Sequence, residues 1–367
     1  MPTLPLMTSP RPAVHVDGAP HPGLTADLLE LVVEESTTAP ARCTARFSNV
    51  GTSTSGSAGY EYFGLSELEF GRQLTIWQGQ PPETLFRLFD GRVDVIEATF
   101  PSQGRPELHV GAADAAGAFR HVRRSRVFEQ MTDVEVITAI AVDHSLQRDI
   151  SLSSGAVAHA RLAQLNQTDA DFVLDRVLAL GAAMWVDGQT LVVTDSAPEA
   201  TPATLTYGES LDAFRVRADL RRQRTVLGVT GWDPRTKQVL TAAVSDSSLP
   251  PDTVNAGLSG GRAIEIAFGR TVEAIVDAVP ESAAEAAALA RAHYHRRAAD
   301  FVSGVGVTTT TPGLRVGRRV TLHNLGPLFS GTYQVTGVRH RFEAGTGLRT
   351  EFDVRRPRLG RASRDGR

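Results

Sequence analysis

The sequence predicts a β-rich α+β protein: two β domains, the second of them discontinuous, joined through an α/β insert. Three observations carry this reading. Short alternating segments separated by Gly-, Pro- and Ser-containing turns fill residues 13–120 and return after about 201. Helical periodicity with clear caps takes over between 121 and 200. A second helical stretch divides the returning strands. At 367 residues the chain is also too long for one ordinary core.

Residues 1–12, rich in proline, form an N-terminal extension. The first β domain, 13–120, opens with "PAVHVDGAPHP", where Asp17-Gly18 marks a turn between extended arms. In "RQLTIWQG" Leu74 and Ile76 share one parity and Gln73, Thr75 and Trp77 the other, as in a half-buried strand. "RLFDGRVDVIEATF" carries Asp90-Gly91 between two alternating arms and predicts a hairpin there. Strands at this spacing suit a barrel or a sandwich.

The insert, 121–200, begins its first helix at a capping box, Thr132 with Glu135, and places Val134, Ile137 and Ala141 on one face with Thr138 beside them. Thr168 caps the next helix, Val173, Leu174, Val177 and Leu178 lie along one side, and Gly181 ends it. A hairpin turning at Asp187-Gly188 follows. Residues 201–245 resume strands and turn at Asp233-Pro234. Residues 246–302 interrupt them with a loop-rich stretch around "GLSGGR" and a helix that begins after Pro280.

Residues 303–356 end on the hairpin "FSGTYQVTGVRHRFEAGTGLRTEFDVRR". Tyr333 and Val335 share one parity; Val338, His340 and Phe342 share the other. The phase slips at Thr336-Gly337, which predicts a β-bulge. The last eleven residues, 357–367, form a basic tail with almost nothing to bury, expected to be disordered alone.

Composition excludes several classes. A formal net charge of -3 gives no footprint for nucleic acid. A lone Cys43 rules out an intrachain disulfide and a Cys-based zinc cluster. No apolar run of about 18 residues is present, so no membrane insertion is expected, and the N-terminus lacks the apolar stretch of a signal peptide. Synthesis and assembly in the cytoplasm follow as the expectation.

A search for chemistry finds no catalytic, cofactor-binding or metal-binding set. G-x-S-x-G, Walker A, H-E-x-x-H and EF-hand patterns are all missing. His293 and His295 stand two apart on a helix and do not face each other. His340 reads as a packed histidine. Asp94, Glu97, Asp133, Glu135, Asp169 and Asp171 lie in strand or capping contexts, where a carboxylate serves the cap and the dipole rather than proton transfer. Trp77, Trp185 and Trp232 read as core residues.

Four phrases, in order, resemble a known family. "RSRVFEQMTDVEVITAIAVDHSL" resembles the entry to the α/β insert of phage tail hub proteins, and "QLNQTDADFVLDRVLALGAAMWVDGQTLVV" the segment that follows it. "VLGVTGWDPRTKQVLTAAV" is similar to their Gly-Trp-Asp strand, and residues 313–356 to their closing region. On these grounds the chain is identified as resembling the late control protein D and VgrG hub family of contractile tails and injection systems, over most of residues 13–356.

The resemblance implies two tube-like antiparallel β-barrels, with contacts between them made by main chain and Arg–carboxylate pairs. It implies a structural role: a homotrimer whose six barrels imitate a hexameric ring and join an inner tube protein to a separate trimeric spike protein. Tape-measure and other baseplate proteins are further partners in such particles. Fused relatives continue into a spike after the equivalent of Arg356, whereas only "PRLGRASRDGR" follows here. By that position Arg355, Arg356, Arg358, Arg361 and Arg364 are candidate spike-junction contacts. A carbohydrate- or receptor-binding β module and a tail-associated peptidoglycan hydrolase are the rival readings. The first would need clustered exposed aromatics, the second a carboxylate pair in a cleft.

Overall fold

The structure, a computed structural model, describes residues 11–52, 58–64, 68–79, 85–152, 157–196, 202–233, 236–249, 257–276, 280–309 and 313–360. Six strands build a first unit: β1 (Ala13–Val16), β2 (Leu28–Ser36), β3 (Arg42–Ser48), β4 (Gln73–Gln78), β5 (Phe86–Thr99) and β6 (Glu107–Ala113). Six more build a second: β7 (Ala203–Thr206), β8 (Ala213–Ala218), β9 (Val302–Thr308), β10 (Arg319–His323), β11 (Gly331–Glu343) and β12 (Gly347–Arg356).

The spatial order is β1-β4-β5-β6-β3-β2 in the first unit and β7-β10-β11-β12-β9-β8 in the second. Adding six to each label turns one unit into the other. Neighbours are antiparallel in both, except that β7 runs parallel to β10 where β1 is antiparallel to β4. Both units also break register at the same place: between Val93 and Val95 where β5 meets β6, and between Val335 and Gly337 where β11 meets β12. The second break is the bulge that the phase slip at Thr336-Gly337 predicts.

The bulge has a packing consequence. Because side chains alternate across a strand, one extra residue flips the phase. Tyr333 and Val335 before it and Val338 after it therefore share the second core with Phe301, Val320 and Phe352, while Phe342, farther along, enters with Leu348 of β12 the first core among Leu31, Phe47 and Ile76. One hairpin thus serves two cores. Past the bulge β11 pairs with β2, from Gly337 opposite Ser36 to Glu343 opposite Glu30, so the units merge into one thirteen-stranded sheet. Its pairings follow an open path from β8 to the short strand Ala19–Pro20 beside β1; among the described residues they do not close into a barrel.

In the insert, α1 (Asp133–Asp143) and α2 (Asp169–Ala179) each follow one strand of an antiparallel pair, Arg123–Thr132 with Ala158–Thr168. The capping box is formed, with Thr132 N–H donating to Glu135 and Glu135 N–H to the Thr132 hydroxyl. The buried face of α1 is Val136, Ile137, Ile140 and Ala141; Val134 is only half-buried, because an apolar stripe this broad does not by itself set the helix phase.

Three expectations change. Asp90-Gly91 makes no turn: Phe86–Thr99 is a single strand. A Cβ on Gly91 would lie 2.2 Å from the Ala113 carbonyl oxygen and 2.5 Å from the Phe89 ring, so the glycine serves close approach, not reversal. Gly91→Ala is expected to cost about 1–3 kcal/mol by overpacking, read as a lower urea midpoint at constant slope. The strands Val226–Asp233 and Gln238–Ser245 do not join the second unit. With Val272–Ile275 they form their own sheet, which buries Leu227, Val229 and Ile275 under α3 (Ala283–Ala299). Alternation shows that one face is buried, not against what. Finally, "GLSGGR" opens a helix, Gly260–Phe268, capped by Ser259. A Cβ on Gly260 would sit 2.3 Å from the Gln223 amide oxygen, so any larger residue there would have to displace that side chain.

Candidate functional site

The seam between the units is held by main-chain pairing and by arginine–carboxylate contacts. On its exposed face Arg339 of β11 pairs with Glu34 of β2, its opposite neighbour, and Arg341 reaches Glu30 at 3.1 Å. These bridge the groove side of the sheet. A groove of about 1030 Å³ crosses the seam there, lined among others by Thr336, Gly337, Asp353, Arg215, Arg217 and Glu34. Charges of both signs line it. Arg355 meets Asp300 at 3.3 Å on its margin.

Beneath the seam lies a buried polar group. Glu35 is 6% exposed and holds Arg315 at 2.6 Å. Arg315 comes from the turn before β10 and also donates to the Arg87 carbonyl of β5, at 3.1 Å, so it ties the second unit to the first. Burial pushes the Glu35 carboxyl up against the pull of Arg315. Asp114, at the exit of β6, accepts from the Ala41 and Ala116 amides, and burial lifts it to about 6. His340 is fully buried on β11 with Nδ1 2.9 Å from the Thr350 hydroxyl, and burial pushes it down to about 3. The expected packed histidine is thus a neutral one at the seam.

The insert carries two further buried carboxylates. Asp133, first residue of α1, lies 2.9 Å from His159 and 2.6 Å from Arg176. Asp169, first residue of α2, receives Gln164, His144 and Arg126 at 2.9, 2.9 and 2.8 Å. Burial opposes ionisation at both, but these donors outweigh it and hold both carboxyls below the usual range. They are ionised clamps from helix start to neighbouring strand, not proton donors. His159 carries no sequence signal, because its partner lies 26 residues away.

Of the arginines named for a spike junction, three lie among the described residues, in different settings. Arg355 faces the groove, Arg356 is 2% exposed and sits over the Tyr333 ring while donating to the Ser330 and Leu328 carbonyls, and Arg358 lies in a short strand paired with Leu258–Ser259. Arg361 and Arg364 lie outside the described residues. His295 contacts the Ser248 carbonyl, Asp94 pairs with Arg42, and Trp232, expected in a core, is 52% exposed near the turn of its hairpin, opposite Val239. Glu97 stands exposed on β5 beyond the bulge, where no strand pairs with that flank among the described residues. β8 likewise pairs on one side only, with β9. Among the described residues no helix is long and apolar enough to cross a membrane.

Two six-stranded units fused into one sheet, with an α/β insert between them, is a fold found in tail proteins of phages and of secretion machines. The chain is similar to the 43 kDa tail protein of prophage MuSo2 from Shewanella oneidensis, with 13% identity over 95% of this chain and 98% of that one and a TM-score of 0.66. It is similar to a tail protein from Neisseria meningitidis MC58, with 12% identity, 94% and 96% coverage and a TM-score of 0.62. It is also similar to an E. coli component of the type VI secretion system that resembles T4 bacteriophage tail proteins, with 12% identity, 96% and 78% coverage and a TM-score of 0.59. No curated relative matches the sequence. The chain belongs to the family described as the Alg8 N-terminal domain, whose model matches residues 55–344.

Proposed function

We propose that this chain is a structural hub of a contractile phage tail or tail-like injection particle, of the late control protein D and VgrG kind. Three copies would form a ring of six tube-like units that adapts a hexameric inner tube to a trimeric spike, assembled in the cytoplasm and carried in the particle. The observation that supports this best is the internal repeat: two units of identical strand order and bulge position in one chain supply six equivalent units from three copies. Closed cyclic assembly is the usual route to such a ring. Arg355 and Arg358, which keep exposed surface, carry the proposed spike contact, while Arg356 serves the fold. Native mass spectrometry of the assembled particle's hub is expected to give a trimer; a dimer or hexamer of this chain would overturn the reading.

The rival readings find less support. Tyr60, Phe63 and Phe100 do cluster, with ring centres 4.9–5.7 Å apart, but their planes are inclined by 45–82°, which offers no flat platform for a sugar face. For a hydrolase, the buried carboxylates of the seam and insert are each taken up by arginine, histidine or backbone donors.

A further inference from the structure

The way the two units join inside one chain specifies how the next copy joins. We propose that the free edge of β8 pairs antiparallel with the free flank of β5 in a second copy of this chain, with Arg217 opposite Glu97. This deepens the hub reading and rests on it only for the number of copies.

The register follows from the repeat. Gly337 opposite Asp353 in the second unit corresponds to Val95 opposite Gly111 in the first, each being the first pair after the bulge. Gly111 and Asp353 in turn face Thr44 and Val305, which face Val32 and Arg215. Glu34 of β2 therefore corresponds to Arg217 of β8, and Arg339 of β11 to Glu97 of β5. Within the chain, Arg339 stands opposite Glu34 and binds it. Carried to the free edges, the same step sets Glu97 opposite Arg217, Ala98 opposite Val216 and Thr99 opposite Arg215. The central pair keeps opposite charge with the signs exchanged.

The surfaces fit this occupant in three ways. Among the described residues, exposed Glu97 has no cation within ion-pair distance, and Arg217, its side chain 67% exposed, has only Asp219 at 3.8 Å. Ile96 packs on the first core and Val216 on the second, so the new pairing would continue both cores as the seam does. And both flanks present unpaired backbone groups, a template that a protein covers or pairs. Because β8 and β5 are different surfaces, the contact is head-to-tail and closes into a ring or runs on as a filament.

The test uses the full chain with Ala98→Cys and Val216→Cys. Opposed antiparallel residues stand about 4.5–5.5 Å apart, within disulfide reach, and the native Cys43 is buried. Mild oxidation is expected to give dimers and then a closed trimer on a non-reducing gel, with neither single variant forming them. Separately, Glu97→Arg and Arg217→Glu, both at exposed positions, are each expected to weaken self-association at least tenfold, and the double exchange to restore it. A native trimer that gives no cross-link, or a double exchange no better than either single one, overturns the pairing and leaves the hub reading standing. Cross-links that run past three copies keep the pairing and overturn the threefold ring.

Discussion

Arg315→Met is expected to cost about 3–5 kcal/mol at pH 7, because it leaves the Glu35 carboxylate buried without its cation. Glu35 is nearly inaccessible and Arg315 only a quarter exposed, so solvent screening relieves little of this. The loss should concentrate at the seam. Arg315 also grips the Arg87 carbonyl, so amide exchange on β2 and around residue 315 should speed up before exchange in the outer strands. The deficit should shrink in mild acid. Removing the cation raises the Glu35 carboxyl further, and a carboxyl raised in the fold gains stability as pH falls. Urea midpoints at pH 7 and pH 5 measure both effects. A loss below about 1 kcal/mol at pH 7 would show that Arg315 behaves as a surface charge.

His340→Asn is expected to reshape the acid limb of stability. In the fold His340 stays neutral down to about pH 3, whereas in the unfolded chain it takes a proton near about 6.5. Between those values the unfolded state holds the extra proton, so stability falls as pH falls, by about 1.4 kcal/mol per unit. Asp114 acts oppositely. It keeps its proton up to about 6 in the fold but loses it near about 3.9 when unfolded, so between those values it adds stability as pH falls. Between pH 6 and 4 the contributions of these two residues therefore largely cancel in the native chain. Without His340 its opposing contribution is gone, and the variant should gain on the native protein by about 2 kcal/mol between pH 6.5 and 4.5. Whatever asparagine costs by packing is constant and drops out of the slope. Parallel curves for the two proteins would mean that His340 is not held neutral by its site.

Both effects are located where the two units meet, and this fits the assembly argument. A hub must hold its units in fixed relation while its outer edges find other copies. The seam does so with a buried ion pair and a neutral histidine, and its exposed face uses Arg339 with Glu34. The free edges carry the exposed half of that device, Glu97 and Arg217, without the buried half. Their pairing would then respond to salt more steeply than the seam.

Much of the local structure was legible in the sequence because its causes are local. The capping box Thr132–Glu135, the cap at Thr168, the turn at Asp17-Gly18 and the bulge at Thr336-Gly337 each depend on residues within a few positions of one another. The caps satisfy backbone groups of their own helix, and a phase slip is visible in the alternation itself. The alternation of strands and the periodicity of the capped helices were legible for the same reason, as changes of period along the chain.

What only the tertiary structure decided lies between segments far apart in sequence. Asp90-Gly91 has the composition of a turn, but the glycine answers to Ala113, a neighbour in space. The hairpin Val226–Asp233 with Gln238–Ser245 alternates as a barrel strand would, yet its buried face belongs to α3. Glu35 with Arg315 spans 280 positions, and His159 with Asp133 joins two secondary elements whose spacing encodes nothing about their contact. The repeat was hidden for a related reason. Strand order is a property of backbone hydrogen bonding, which every residue except proline can supply, so two units can share an order, a bulge and a charge-paired edge while sharing no readable sequence. Periodicity tells which side of a strand is buried; only the assembled sheet tells what lies beside it.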